Sequence, residues 1–311
     1  MIIGFIGLGT MGAGMANNLQ QRGKYKLVVN DIARQNAQRF LDAGADWAAT
    51  PKEVAERADV IFTSLPGPME VEGVIFGEDG LIHGARAGTA YFDLSTNSQD
   101  LMRRAHDALA EKGVQVFDAP VSGGPTGAAS GKLAIWVGGD KATYDKLKPV
   151  LDSFGDQAAY IGPIGTATVA KLVHNLSGYA IQTVVAEAFS MGVKAGMDPL
   201  HLWKAIRQGA LGRRRMFDRI GDQYLVDSYD PPAFSLKLAC KDVTLALNLG
   251  RKHGVPMRLS HLVLEEMQEA MNRGWGHRDS RVPMLMQNER AGVKIAVDKA
   301  AVKAVLDADK T

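Results

Sequence analysis

The chain has 311 residues, more than one compact domain usually holds, so two domains are expected. Its 36 basic and 34 acidic side chains leave a formal net charge of only +2, which removes any electrostatic case for a nucleic acid or an anionic membrane surface as partner. The lone cysteine, Cys240, excludes an intramolecular disulfide and a cysteine-rich metal site, and it suits a reducing, cytoplasmic setting.

The apolar start, Met1–Ile6, runs straight into Gly7 and Gly9 without a basic flank or cleavage site, and so reads as a buried strand rather than a signal peptide. No apolar run approaches the roughly 18 residues of a membrane span. Short apolar runs predict strands at Ile2–Ile6, Lys26–Asn30, Val60–Ser64, Ala90–Leu94, Val114–Phe117 and Leu133–Val137. Helical patterns fill the gaps, at Met11–Arg22, Arg34–Ala43, Pro51–Ala58, Gln99–Lys112 and Ala142–Phe154. This alternation is the pattern of βαβ units and a mainly parallel sheet, and it predicts an α/β domain over residues 1–163.

Beyond Gly165 the texture changes. Ala167–Ala195 contains no proline and repeats apolar residues at helical spacing, which predicts one long interdomain helix over about 166–195. Further helices are expected at Pro199–Gln208, Arg215–Val226, Leu236–His253 and Arg258–Arg273, and the stretch from Asp298 to Thr311 reads as a solvated helix or a frayed tail. Residues 164–311 therefore form an all-α domain.

Gly7-Leu8-Gly9-Thr10-Met11-Gly12 is a G-x-G-x-x-G set between a predicted strand and a predicted helix, the context in which that motif binds a dinucleotide. Gly7 allows a tight turn, Gly9 lets the backbone approach a pyrophosphate, and Gly12 lets the helix pack on the strand. Thr10 and Met11 complete the loop. Asp31 closes the second strand, where a carboxylate can accept hydrogen bonds from a ribose and repel a 2′-phosphate, so NAD is expected over NADP. Arg34 is close enough to serve a phosphate instead, although an exposed helix-start residue is its plainer reading. NADP use stays open.

Four blocks carry a resemblance to a known family: Gly7–Leu19 with Met15-Ala16-Asn17-Asn18, Asp118-Ala119-Pro120-Val121-Ser122-Gly123-Gly124 with Gly127-Ala128, Gly165 followed by Lys171 and Asn175, and Lys241-Asp242 after Leu238. In this order the blocks resemble the β-hydroxyacid dehydrogenases, which include 3-hydroxyisobutyrate dehydrogenase and tartronate semialdehyde reductase. The resemblance implies an N-terminal Rossmann dinucleotide-binding domain and a helical domain for substrate and oligomerisation. It also implies a soluble homodimer or homotetramer acting on a small anionic hydroxy acid or aldehyde.

By the same resemblance Lys171 is the acid/base that exchanges a proton with the substrate oxygen, and Asn175, four residues on and so on the same helix face, orients Lys171 or the substrate hydroxyl. Lys241 borders cofactor and substrate and is the cationic neighbour that would tune Lys171. Ser122, Gly123 and Gly124 match a carboxylate-binding turn. Leu65, Pro66 and Thr96 fall where the family meets the nicotinamide half of the cofactor.

Other residues read more plainly. His174 is turned about 100° from Asn175 around the helix and is expected to pack rather than react. The histidines and acids show no metal-ligand spacing, so no metal is predicted. Cys240 lacks a base partner and is expected to be a structural thiol. Arg213, Arg214 and Arg215 point in different directions, but one of them reaching a cleft would favour a substrate with a polar or anionic far end. Two alternatives share the dinucleotide half: an imine reductase, against which Lys171 argues, and a non-catalytic regulator, which would expect Lys171 replaced.

Overall fold

A computed structural model of the chain describes residues 1–194, 196–209, 220–252, 254 and 257–308. The chain divides into two compact units, Met1–His174 and Asn175–Thr311.

The first unit is built on strands β1 (Ile2–Ile6), β2 (Lys26–Asn30), β3 (Asp46–Trp47), β4 (Val60–Thr63), β5 (Ala90–Asp93), β6 (Gln115–Asp118), β7 (Val121–Ser122), β8 (Leu133–Gly138) and β9 (Gly155–Gly162). Their order is β3-β2-β1-β4-β5-β6-β8-β7, with β9 beside β8. The strands from β3 to β6 are parallel, and β8 runs antiparallel to β6. Helices α1 (Gly12–Gln21), α2 (Gln38–Asp42), α3 (Pro51–Arg57), α4 (Pro68–Phe76), α5 (Gln99–Ala110), α6 (Gly124–Ser130) and α7 (Lys141–Leu151) supply the connections. With β1 central and the chain crossing over between β2 and β4, this is the doubly wound order of the Rossmann fold.

One row of side chains explains the alignment of the sheet. Phe5, Phe62, Phe92 and Phe117 are register partners across β1, β4, β5 and β6, and each is fully buried. Phe92 and Phe117 stack with centroids 4.2 Å apart, while Phe154 meets Phe62 edge-on at 5.5 Å. Burying each ring contributes about 1.5–3 kcal/mol, and the matched register brings the carboxyl ends of four strands level. The next row toward that end is polar and equally buried: Thr63 pairs with Asp93, and Asp93 with Asp118.

Several expectations shift at their edges. The predicted helix Arg34–Ala43 divides into a 3-10 turn, Arg34–Ala37, and the short α2, because Asp31 accepts the Ala33 N–H and Asn36 amide and draws the chain into a tighter turn. The two-residue strands β3 and β7, the strand β9, and helices α4 and α6 were not expected from the sequence.

Helix α8, Thr166–Lys194, is the expected long helix, with residue 195 outside the described residues. In the second unit α9 spans Pro199–Gln208, capped by Asp198, whose carboxylate accepts the His201 N–H at 2.9 Å. Helices follow at Leu236–Lys252, Arg258–Asn272, Pro283–Ala291 and Lys299–Ala308, and the Pro283–Ala291 helix was not expected. The predicted helix Arg215–Val226 lies outside the described residues up to 219, and 220–226 is a run of turns. Two apolar clusters fill this unit, one around Phe189, Trp203 and Tyr224, the other around Leu236, Val243, Val263 and Met286.

Candidate active site

The glycine loop follows β1. Gly7 has φ +91°, and a Cβ there would lie 2.4 Å from the Ser64 carbonyl oxygen; at Gly12 it would lie 1.9 Å from the Gly7 carbonyl oxygen. Both glycines are thus demanded by the loop's own packing. Gly9 differs, because a Cβ there meets nothing within 4 Å. Its bareness serves no internal contact and leaves an open cradle where a pyrophosphate can approach the backbone. The N-cap residue of α1, Met11, makes no side-chain capping bond, so no side chain of its own cap occupies the positive end of that helix. The residues present fit a dinucleotide.

Asp31 Oδ2 accepts the Leu8 N–H at 2.6 Å, and Oδ1 accepts the Ala33 N–H at 2.8 Å. The acid therefore ties the glycine loop to the end of β2. Arg34 is exposed, with its guanidinium over the Trp47 ring at 5.4 Å.

Leu65 and Pro66 follow β4 and Thr96 follows β5, on adjacent parallel strands. The Leu65 N–H donates to Ser95 Oγ at 2.9 Å. Beneath them Asp93, 1% exposed, accepts the Thr63 hydroxyl at 2.8 Å, the Ser95 N–H at 3.2 Å and the Asn97 amide at 2.8 Å. Burial pushes the Asp93 carboxyl above its ordinary value, more than these donors lower it, and burial likewise raises the Tyr91 phenol that bonds Thr63.

Lys171, on the second turn of α8, donates from Nζ to the Val121 carbonyl oxygen at 2.9 Å. The next residues are the turn Ser122-Gly123-Gly124, in which Gly123 has φ +140° and Gly124 φ +63°, so the backbone there turns in a way side chains resist. A Cβ on Gly124 would meet nothing within 4 Å. The lysine ammonium is thus bonded to the residue just before the turn expected to hold a carboxylate.

Asn18 was legible in the sequence only as part of a signature block. Its amide donates to the Ala128 carbonyl at 2.7 Å, and a Cβ on Gly14 would lie 2.8 Å from the Ala128 carbonyl carbon, so α1 and α6 pack backbone to backbone. The helices that follow the glycine loop and the Ser122–Gly124 turn are thereby clamped to each other.

In the second unit Asn175 Nδ2 donates to Asp242 Oδ2 at 2.6 Å, and Lys241 Nζ lies 2.9 Å from Asp242 Oδ1. A carboxylate can only accept, so Asp242 fixes which end of the Asn175 amide faces it. Lys241, expected as the cationic neighbour of Lys171, is charge-paired with a carboxylate that is 1% exposed.

His174 and Cys240 were expected to be structural. The His174 ring lies against Trp136, tilted, with centroids 5.3 Å apart, and Cys240 is half-buried with its thiol pushed up to about 11 by desolvation. Arg213, Arg214 and Arg215 lie outside the described residues. Among the described residues no cluster of His, Cys, Asp and Glu could hold a metal, and no helix is long and apolar enough to cross a membrane.

Two family models match the chain: the NAD binding domain of 6-phosphogluconate dehydrogenase over residues 2–162, and the NAD-binding domain of NADP-dependent 3-hydroxyisobutyrate dehydrogenase over 165–285. The 2-(hydroxymethyl)glutarate dehydrogenase of Eubacterium barkeri is 32% identical over 94% of this chain and 97% of its own. The chain belongs to the β-hydroxyacid dehydrogenase family. It is an NAD(P)-dependent dehydrogenase or reductase of that family.

Among other family members, an NAD-dependent L-serine dehydrogenase of Pseudomonas aeruginosa is 32% identical over 90% of this chain and 95% of its own. The 3-hydroxyisobutyrate dehydrogenase of Mycobacterium tuberculosis, solved with L-serine, superposes with a TM-score of 0.81 at 27% identity, over 92% of this chain and 98% of that one. An imine reductase from Pseudomonas sp., at 17% identity and a TM-score of 0.59, shares the fold alone.

Proposed function

We propose that this β-hydroxyacid dehydrogenase interconverts a small β-hydroxy acid and its aldehyde, with Lys171 as the general acid/base. The observation that carries the reading is the 2.9 Å bond from Lys171 Nζ to Val121 O, which seats the ammonium one residue from the Ser122–Gly124 turn. A carboxylate accepting hydrogen bonds from that turn would place a hydroxyl two carbons away within reach of Lys171. The bound nicotinamide supplies or accepts the hydride. In the reducing direction Lys171 gives its proton to the oxygen as negative charge develops there; in the oxidising direction the neutral amine takes the hydroxyl proton. Asn175, its amide held by Asp242, orients the lysine or that oxygen, and Lys241 borders the substrate and cofactor.

The relatives named above act, by their names, on 2-(hydroxymethyl)glutarate, L-serine and 3-hydroxyisobutyrate, all with a hydroxymethyl group next to the carbon that bears a carboxylate. That common chemistry matches one carboxylate turn and one lysine. Residues 1–163 are proposed as the dinucleotide-binding domain, with Gly7, Gly9, Thr10, Met11, Gly12, Asp31, Leu65, Pro66 and Thr96 against the cofactor, and 164–311 as the substrate and oligomerisation domain. NAD is the preferred cofactor because Asp31 would repel a 2′-phosphate. A dimer or larger homo-oligomer is proposed from the second unit, where Leu259 and Leu262 are at least half exposed on one helix.

The test is Lys171→Ala. Cofactor affinity should hold while kcat falls by about 10²–10⁴. Wild-type turnover, with hydride transfer shown to be rate-limiting by a deuteride isotope effect, would refute the assignment.

A further inference from the structure

Asp118 takes part in none of the proposed chemistry, yet it ends β6 with a side chain that is 1% exposed. A carboxylate so deeply buried is costly unless its oxygens are satisfied, and here the donors come from a single place. Oδ1 accepts the Gly165 N–H at 2.8 Å, and Oδ2 accepts both the Thr168 N–H at 2.6 Å and the Thr168 hydroxyl at 2.8 Å. All three donors belong to the first turn of α8 or the residue before it. The acid thus caps the positive end of the long helix from a neighbouring strand.

Three residues further along both segments the contact repeats. Asp118 meets Thr168 and Val121 meets Lys171, each pair separated by fifty residues, so the β6–β7 stretch is pinned to α8 twice in one register. Slipping the helix by one residue would rotate Lys171 by about 100° and carry its ammonium away from the turn.

We infer that Asp118 is a positioning residue for Lys171: by capping α8 at Gly165 and Thr168 it sets the register that holds the lysine ammonium beside Ser122–Gly124. The inference rests on the acid/base reading of Lys171. It assigns the acid a role in the reaction through Lys171 alone, without contact to substrate or cofactor.

That dependence is testable by non-additivity. Asp118→Asn sets an amide N–H₂ against the backbone donors; kcat should fall about 10- to 100-fold, with cofactor Kd changed by less than about twofold. In a Lys171→Ala background the same substitution should lower kcat no further. As a control, Asp140→Asn weakens the cap of α7, where Asp140 accepts the Thr143 N–H at 2.8 Å, and should leave kcat at the wild-type value whatever its melting temperature. Wild-type kcat in Asp118→Asn, or an additive loss in the double variant, overturns the inference and returns Asp118 to a purely structural cap. If Asp118→Asn does not fold, Thr168→Val, which removes only the hydroxyl donor, is put through the same cycle, and a wild-type kcat there overturns the inference equally. Impaired Lys171→Ala with normal Asp118→Asn rejects the positioning role alone; fully active Lys171→Ala rejects the catalytic reading and the positioning role together.

Discussion

The carboxylate of Asp31 accepts the backbone N–H of Leu8 at 2.6 Å, so the acid proposed to discriminate between cofactors also braces the glycine loop proposed to cradle them. Asp31→Ala and Asp31→Arg should therefore do two things at once. The ratio of kcat/KM for NADH to that for NADPH should shift toward NADPH by at least about tenfold, because the repulsion is relieved. Affinity for either cofactor should also fall, because Leu8 loses its acceptor. Steady-state kinetics with both reduced cofactors checks this, and an unchanged ratio would remove Asp31 from cofactor selection.

Asp242 holds the Asn175 amide at 2.6 Å and the Lys241 ammonium at 2.9 Å from one buried position. Asp242→Ala removes an acceptor from the Asn175 amide and a counter-charge from Lys241, and should cost about 1–3 kcal/mol of stability. Asp242→Asn keeps the shape but sets N–H₂ against a donor, so kcat/KM for the hydroxy acid should drop about 10- to 100-fold while cofactor affinity stays near wild type. Chemical denaturation and initial-rate measurements together separate the two effects. Equal losses in cofactor and substrate terms would mean that Asp242 only supports the fold.

Much of this arrangement was legible in the sequence, and the reasons are local. The largely buried strands β1 and β4 read as apolar runs, and the glycine loop is spelled out in consecutive residues. Strand β9 was hidden because Gly155–Gly162 opens on Gly-Asp-Gln and, after Gly155, keeps every residue exposed or only half-covered, and it depends on pairing with β8. Helix α4 was hidden behind Pro66, Gly67 and Pro68, where the proline that reads as a breaker in fact starts the helix. Asp93, Asp118 and Asp242 have partners up to 67 residues away, so no window of sequence shows what their carboxylates do.

Burial raises the carboxyl groups of Asp93 and Asp118 above the ordinary value of 3.8, which gives stability a pH dependence of definite sign. A folded state that binds a proton more tightly than the unfolded chain gains most below the unfolded pKa, and loses that gain as pH rises through the folded pKa. Wild type should therefore lose stability relative to the non-titrating Asp93→Asn variant as pH is raised from about 4 toward neutrality. Urea midpoints at several pH values measure the difference, and a difference that is flat with pH, or of opposite slope, contradicts the shift.

Cys240 is half-buried, and desolvation pushes its thiol up to about 11 from an ordinary 9.0. A thiol held that high carries about a hundredfold less thiolate near neutrality than an ordinary one. Native protein should accordingly react with iodoacetamide about a hundredfold more slowly than the same protein in guanidinium, and Cys240→Ser should retain its turnover. Rapid labelling of the native chain accompanied by loss of activity would instead place the thiol in the working site.

The glycine loop offers the sharpest separation between folding and function, because its three glycines are small for different reasons. At Gly12 an added Cβ would lie 1.9 Å from the Gly7 carbonyl oxygen, which is backbone and cannot step aside without opening the loop. Gly12→Ala should therefore lose at least about 2 kcal/mol of stability before any ligand is considered. At Gly9 the same methyl group meets nothing within 4 Å, and the residue has no positive φ that a side chain would resist. Gly9→Ala should melt within about a degree of wild type, because nothing in the folded chain is displaced. Its cost should appear only when a pyrophosphate needs the space the methyl group now fills, as a rise of at least about tenfold in cofactor Kd. Thermal melts with and without NADH decide the matter: wild type should gain stability on adding cofactor, and Gly9→Ala should gain little. If Gly9→Ala bound NADH as tightly as wild type, the open cradle above Gly9 would not be the pyrophosphate site.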